Sequence, residues 1–229
     1  MSEIEQALDE VAEDLCWLDA EVVFVGGAAI GLFLDALGRS QLRPTVDVDC
    51  IVPTVLTQSG WWQLEEELRR RHWAPDPEGP ICRYRSPRGT VVDLMPQDPA
   101  VLGFAGEWYA MAVATAERRA LVTGREVLVP TPAILFACKL EAWRDRGSSD
   151  PYASKDLEDL IALLDGCRDL EGSIGLAPVE VRRAIAQGLG TIWTDRRYRE
   201  AALAHLPRTG DVAAQEARVI ALVGRLTTS

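Results

Sequence analysis

The segment Thr45 to Val52, reading TVDVDCIV, constrains this chain more than any other. Its carboxylates alternate with Val48 and Cys50 before the run stops at Pro53, the pattern of a strand with one face in a core and the other open. Side chains alternate across a strand, so Asp47 and Asp49 share a face and stand roughly 7 Å apart by strand rise. A solvated strand edge would explain such a pair by itself. Two ionised carboxylates side by side repel, however, and a nearby cation offsets that repulsion; Mg²⁺ is the hard, oxygen-preferring candidate.

Asp93 adds to the pattern. It sits inside Val91-Val92-Asp93-Leu94, a second short apolar strand, where a carboxylate is unfavourable unless it pairs or coordinates something. Three carboxylates on adjacent strands can hold two metal ions, one at an attacking hydroxyl and one at a leaving group. Upstream, Val22 to Val25 reads as a strand, Gly26-Gly27 as a tight turn, and Ala28 to Leu37 as a helix. The start of that helix would present free N–H groups to a phosphate, although a plain structural turn accounts for the glycines equally. Arg43 and Thr45, between the helix and the DxD strand, could add a guanidinium and a hydroxyl to the same phosphates.

The rest of the chain reads as mixed α/β followed by helices. Ser2 and Glu5 resemble a capping box ahead of Ile4, Leu8, Val11, Leu15 and Leu18 at helical spacing. Ser59 to His72 reads as a helix, Ile81 to Ser86 with Thr90 to Leu94 as a hairpin about Pro87-Arg88-Gly89, and Glu126 to Val129 as a last strand; 101 to 124 fits either strand or helix. Thr131-Pro132 is a good helix start, and helices are expected over 132–145, 154–165, 178–189, 195–205 and 211–226. The expected division is a core over residues 1–130 and a helical region over 131–229. In the latter, Trp193, Tyr198 and Leu203 to Leu206 read as packing residues.

Composition narrows the function classes. A formal charge of −11 argues against a surface that broadly coats nucleic acid, leaving local patches such as Arg69 to Arg71, the trio Arg83, Arg85 and Arg88, or Arg182, Arg183, Arg196, Arg197 and Arg199. Five widely spaced cysteines without a CxxC pair, and only His72 and His205 beside them, support neither a zinc site nor a disulfide framework. Cys16, Cys50 and Cys138 fall in apolar patterns that predict a core position. No apolar run approaches the roughly 18 residues of a membrane span, and a cytoplasmic location is expected.

The run VGGAAIGLFLDALGRSQLRPTVDVDCIV, with Asp93 downstream, resembles the nucleotidyltransferase fold shared with DNA polymerase beta, whose signature is a glycine turn, a helix, DxD and a third Asp. The resemblance implies an α/β (α+β) core with a mixed sheet and transfer of a nucleoside monophosphate from a nucleoside triphosphate. Asp47, Asp49 and Asp93 would bind two Mg²⁺ ions, or Mn²⁺, and Asp93 would serve as a general base. TPAILFACKLEAWRDRG followed by SKDLEDLIALLDG is similar to the AbiEii and MenT-like toxin nucleotidyltransferases. That similarity implies that Lys139 contacts the triphosphate, that Arg146 lies near it, and that Asp156 is a further active-site acid with Asp159 one turn later. Read from the residues alone, Lys139 on an otherwise apolar helix would be a costly buried charge without a partner, with snorkelling to solvent as the alternative, and Asp156 and Asp159 would favour a helix dipole.

One departure is Ala28, where active members of the wider fold usually carry Ser or Thr, so a hydroxyl contact to phosphate is missing. The toxin resemblance implies an RNA or tRNA acceptor and a cognate antitoxin protein as partner. The stretch from Gly26 to Asp49 also resembles aminoglycoside and lincosamide nucleotidyltransferases, whose cationic acceptors suit an acidic chain. A catalytically silent nucleotide-binding module is the third alternative.

Overall fold

The computed structural model describes residues 3–18, 21–45, 47–53, 55, 57–207 and 211–228. Ser2 of the expected capping box and Val46 of the expected strand lie outside them. The chain is α/β, with a mixed sheet followed by a mostly helical C-terminal part. It divides into two compact units, residues 1–32 with 43–131, and residues 33–42 with 132–229.

The first unit is built on a sheet of seven strands among the described residues. In chain order they are β1 (Val23–Val25), β2 (Asp47–Val52), β3 (Ala74–Pro75), β4 (Arg83–Arg85), β5 (Val91–Pro96), β6 (Glu117–Ala120) and β7 (Glu126–Val129), arranged β3-β4-β5-β2-β1-β7-β6. The central strands are β-branched and apolar, and Phe24, Ile51, Val52, Val92 and Leu94 are buried, as strands covered by helices require. Helix α1 (Glu3–Asp14) buries Leu8 and Val11 on the stripe that its periodicity predicts. The hairpin joining β4 to β5 turns at Gly89, which takes φ 90° at no steric cost, and Gly89 N–H donates to the Ser86 carbonyl. The ambiguous stretch resolves into helices α5 (Pro99–Leu102) and α6 (Tyr109–Ala114) ahead of β6. Further helices of this unit are α2 (Gly26–Ile30) and α4 (Gln58–Arg70), the latter capped by Thr57, whose side chain accepts from Gly60 N–H.

The single helix expected over 28–37 is instead three pieces: α2, a 3₁₀ turn (Gly31–Phe33) and α3 (Ala36–Gln41). Asp35 causes the break. Its extended backbone and its carboxylate, which accepts from Gly38 N–H at 2.9 Å, start a new helix there.

In the second unit, α7 (Pro132–Ala142) is mostly apolar, with Lys139 and Glu141 its charged residues, and buries Ile134, Leu135 and Phe136 fully, which marks it as the centre of that unit. It packs against α8 (Lys155–Gly166), α9 (Leu170–Leu176) and α10 (Val179–Thr194), and α10 also meets α11 (Arg196–Ala204) and α12 (Val212–Thr228). The expected helix to residue 145 changes character at Trp143, where the chain widens into a π-helical turn through Gly147. Helix α9 was not expected from the sequence: its seven residues include two glycines and a serine, too few apolar positions for a periodic signal. Tyr198 packs edge-on to Trp143 at 5.2 Å, a packing role as expected. Among the cysteines, Cys16 is exposed and Cys138 half-buried, whereas Cys50, Cys82 and Cys167 are buried. Cys16 follows the last turn of α1, beyond the residues that the helix turns inward. Among the described residues, no helix is long and apolar enough to cross a membrane.

Candidate functional site

The DxD residues lie on β2, and parallel pairing with β5 sets Asp49 directly beside Asp93, with Asp47 opposite Val91. Registered neighbours in a sheet share a face, so Asp47, Asp49 and Asp93 stand on one side of it. The other side of β2 carries Val48, Cys50 and Val52, all buried. Asp93 is 8% exposed and Asp47 considerably more open.

On the other flank of β5, antiparallel pairing places Arg83 of β4 opposite Asp93. Its guanidinium grips that carboxylate side-on, Nε to Oδ1 at 2.8 Å and Nη2 to Oδ2 at 2.7 Å, and the same Nη2 reaches Asp47 Oδ2 at 3.1 Å. Hydrogen bonding to Asp93 is the largest of the influences that hold Arg83 firmly charged, with the charges of Asp47 and Asp49 adding to it. The field of the cluster is felt on the neighbouring thiols. Burial pushes Cys82 up to about 11, with the charge of Asp93 contributing, and burial with Asp49 and Asp93 raises Cys50 well above its ordinary value.

Gly26 closes the site from β1. Val25 is the antiparallel partner of Asp49, and the chain turns immediately after it at Gly26 with φ 68°. A Cβ at Gly26 would run into the Asp49 carboxylate, so only glycine lets the turn pass this close. Gly27 and Ala28 are buried in the short helix that follows. Arg43 and Thr45 are half-buried in the irregular segment leading into β2.

The residues expected from the toxin resemblance form a second cluster, within the helical unit. Lys139 of α7 is buried, and its Nζ meets Asp156 at 3.1 Å and Asp159 at 2.6 Å. The two acids are three residues apart at the start of α8 and therefore face the same way. Arg146, on the π-helical turn, reaches Asp156 from solvent with Nε to Oδ2 at 2.8 Å. Burial alone would raise the Asp156 carboxyl; hydrogen bonding from Arg146 and the charges of Lys139 and Arg146 outweigh it and hold the group below its ordinary value.

Asp47, Asp49 and Asp93 offer hard oxygen donors on one face, the donor type that Mg²⁺ or Mn²⁺ takes, so the residue types fit such an ion. In their present arrangement they do not close on one: among the described residues, no three Asp, Glu, His or Cys groups converge in a geometry that could hold a metal. Arg83 supplies the positive charge between Asp47 and Asp93 instead. Arg83 is the residue that sequence reasoning did not assign to this site. It was legible only as one of a basic trio, because its position opposite Asp93 depends on the β4–β5 register.

No protein-family model matches the chain, and no curated protein matches it. Among solved structures, it is similar to an antigenic nucleotidyltransferase-like protein from Paracoccidioides brasiliensis, at 19% identity and a TM-score of 0.49, over 87% of this chain and 92% of that one.

Proposed function

We propose that this chain transfers a nucleoside monophosphate from a nucleoside triphosphate to an acceptor hydroxyl, using Asp47, Asp49 and Asp93. The observation that carries the reading is the register of β2 against β5, which sets Asp49 beside Asp93 with Asp47 on the same face, under a glycine turn that admits nothing larger than hydrogen next to Asp49. Three ionised neighbours on one sheet face repel, and the single charge of Arg83 at Asp47 and Asp93 offsets that only in part. When bound, Mg²⁺ or Mn²⁺ held by these three residues would supply positive charge at the phosphates and acidify the acceptor hydroxyl.

The chain's own contributions follow from position. Asp93, largely withdrawn from water, suits the role of accepting the acceptor's proton at a carboxylate oxygen. Asp47 and Asp49 orient the polar end of the site from a rigid central strand, and Gly26 brings backbone close to it. Ala28 offers no hydroxyl, so phosphate contacts at the turn would fall to backbone N–H groups.

For the acceptor, the toxin resemblance supports RNA, with tRNA as the expected form and an antitoxin protein as partner. One observation favours a second reading, a cationic small acceptor of the aminoglycoside type. Arginines of the local basic patches are held by carboxylates: Arg70 by Glu66 and Glu67, Arg85 by Asp76, Arg88 by Glu13 and Asp14, and Arg196 by Glu200. Transfer of label from each α-³²P nucleoside triphosphate to total RNA and to an aminoglycoside panel, with wild type and Asp47→Ala, separates the two. RNA labelled by wild type alone supports the first reading and a labelled drug the second; equal labelling by both proteins contradicts the site.

A further inference from the structure

We propose that Arg83 is a built-in counter-cation of the carboxylate cluster, which stands where a divalent cation would sit between Asp47 and Asp93 and thereby sets how tightly the cluster binds that ion. The inference rests on the site reading above and extends it to the control of metal affinity.

Three observations support it. The guanidinium contacts both oxygens of Asp93 and bridges to Asp47, so two of the three expected ligands are already engaged by one positive group. The stem of Arg83 is held in place: a Cβ on Gly79 would lie 2.5 Å from Arg83 Cδ and 2.9 Å from its Cβ, so the turn ahead of β4 leaves space for this side chain in this path. Arg83 N–H also donates to the Pro80 carbonyl at 2.8 Å, tightening that turn. Finally, Arg83 is bonded to Asp93 and Asp47 together, so removing it takes away the charge that offsets the repulsion between those two carboxylates, and a divalent ion placed there would restore it. A guanidinium is weakly hydrated and flat, fitted to a carboxylate pair, and it offsets part of the site's negative charge without closing it permanently to a harder ion.

The test measures binding of Mn²⁺ to the full chain by electron paramagnetic resonance of the free ion, using wild type, Arg83→Gln, Arg83→Lys and Asp47→Asn, each checked for folding by circular dichroism. The inference predicts that Arg83→Gln binds Mn²⁺ about tenfold more tightly than wild type. Arg83→Lys, which keeps the charge but loses the two-point grip, falls between them. Affinity in Arg83→Gln equal to or below that of wild type overturns the inference. Should that variant not fold, Arg83→Lys binding no more tightly than wild type overturns it. Asp47→Asn binding Mn²⁺ as wild type does removes the carboxylate site itself, a failure distinguishable from that of Arg83 alone.

Discussion

At Gly26 the backbone takes φ 68° beside the Asp49 carboxylate, and two separate constraints meet in one residue. Gly26→Ala is expected to cost about 1–2 kcal/mol from the left-handed backbone alone, and the clash with Asp49 adds to this. Chemical denaturation gives the stability change, and nucleotide transfer should fall more steeply than the folded fraction, since the substitution displaces a site residue. Asp156 carries a different prediction. Its folded-state pKa lies below the ordinary 3.8, so its contribution to stability is present above that value and is lost as the pH falls through the folded pKa. Removing one partner from a buried ion cluster costs about 3 kcal/mol. The difference in melting temperature between wild type and Asp156→Asn should therefore be large at pH 7 and shrink below about pH 4. A difference that stays constant across that range would show that the ion pairing does not contribute. The shared face of Asp47 and Asp49 was legible because strand periodicity is local. The pairing of Arg83 with Asp93 was not, because the hairpin about Pro87-Arg88-Gly89 was expected but its register, which sets these two residues opposite each other, depends on the detailed geometry of the turn.

At the scale of elements, α8 displays how a cap positions a charged cluster. Ser154 accepts from Leu157 N–H at 3.2 Å, and the first turn thus fixed carries Asp156 and, three residues on, Asp159 toward Lys139. Ser154→Ala should destabilise the chain by about 1 kcal/mol, read as a lower denaturation midpoint with unchanged slope. Loss of slope would point to a change in the unfolded ensemble instead. The Thr57 and Ser154 caps are seen in the structure, whereas the main strands and most helices were readable from periodicity. The break at Asp35 was not, since a continuous apolar pattern ran across a residue whose capping tendency prevailed. The π-helical turn at Trp143–Gly147 has no sequence signal in helical periodicity at all.

Across the whole molecule, the five thiols provide a test of packing. Cys16 alone among them is exposed. Burial raises Cys50 well above its ordinary value, and Cys82 to about 11 and Cys138 to about 12, which suppresses the reactive thiolate. Native protein should react with a colourimetric disulfide reagent at one thiol per chain within minutes and at five after denaturation; two or more fast thiols would mean that the packing described is wrong. After β7 the described elements are helices alone. That residues 33–42 group with the second unit was not readable from the sequence, because that grouping is made by long-range contacts such as those of α3 with α8. The function proposed depends above all on one sheet face. Pyrophosphate release from a nucleoside triphosphate with Mg²⁺ and acceptor, compared among wild type, Asp47→Asn, Asp49→Asn and Asp93→Asn at equal folded fraction, tests it directly. Release by wild type that drops at least about a hundredfold in each variant is the expected result; release undiminished in any of the three would contradict a site built from these carboxylates.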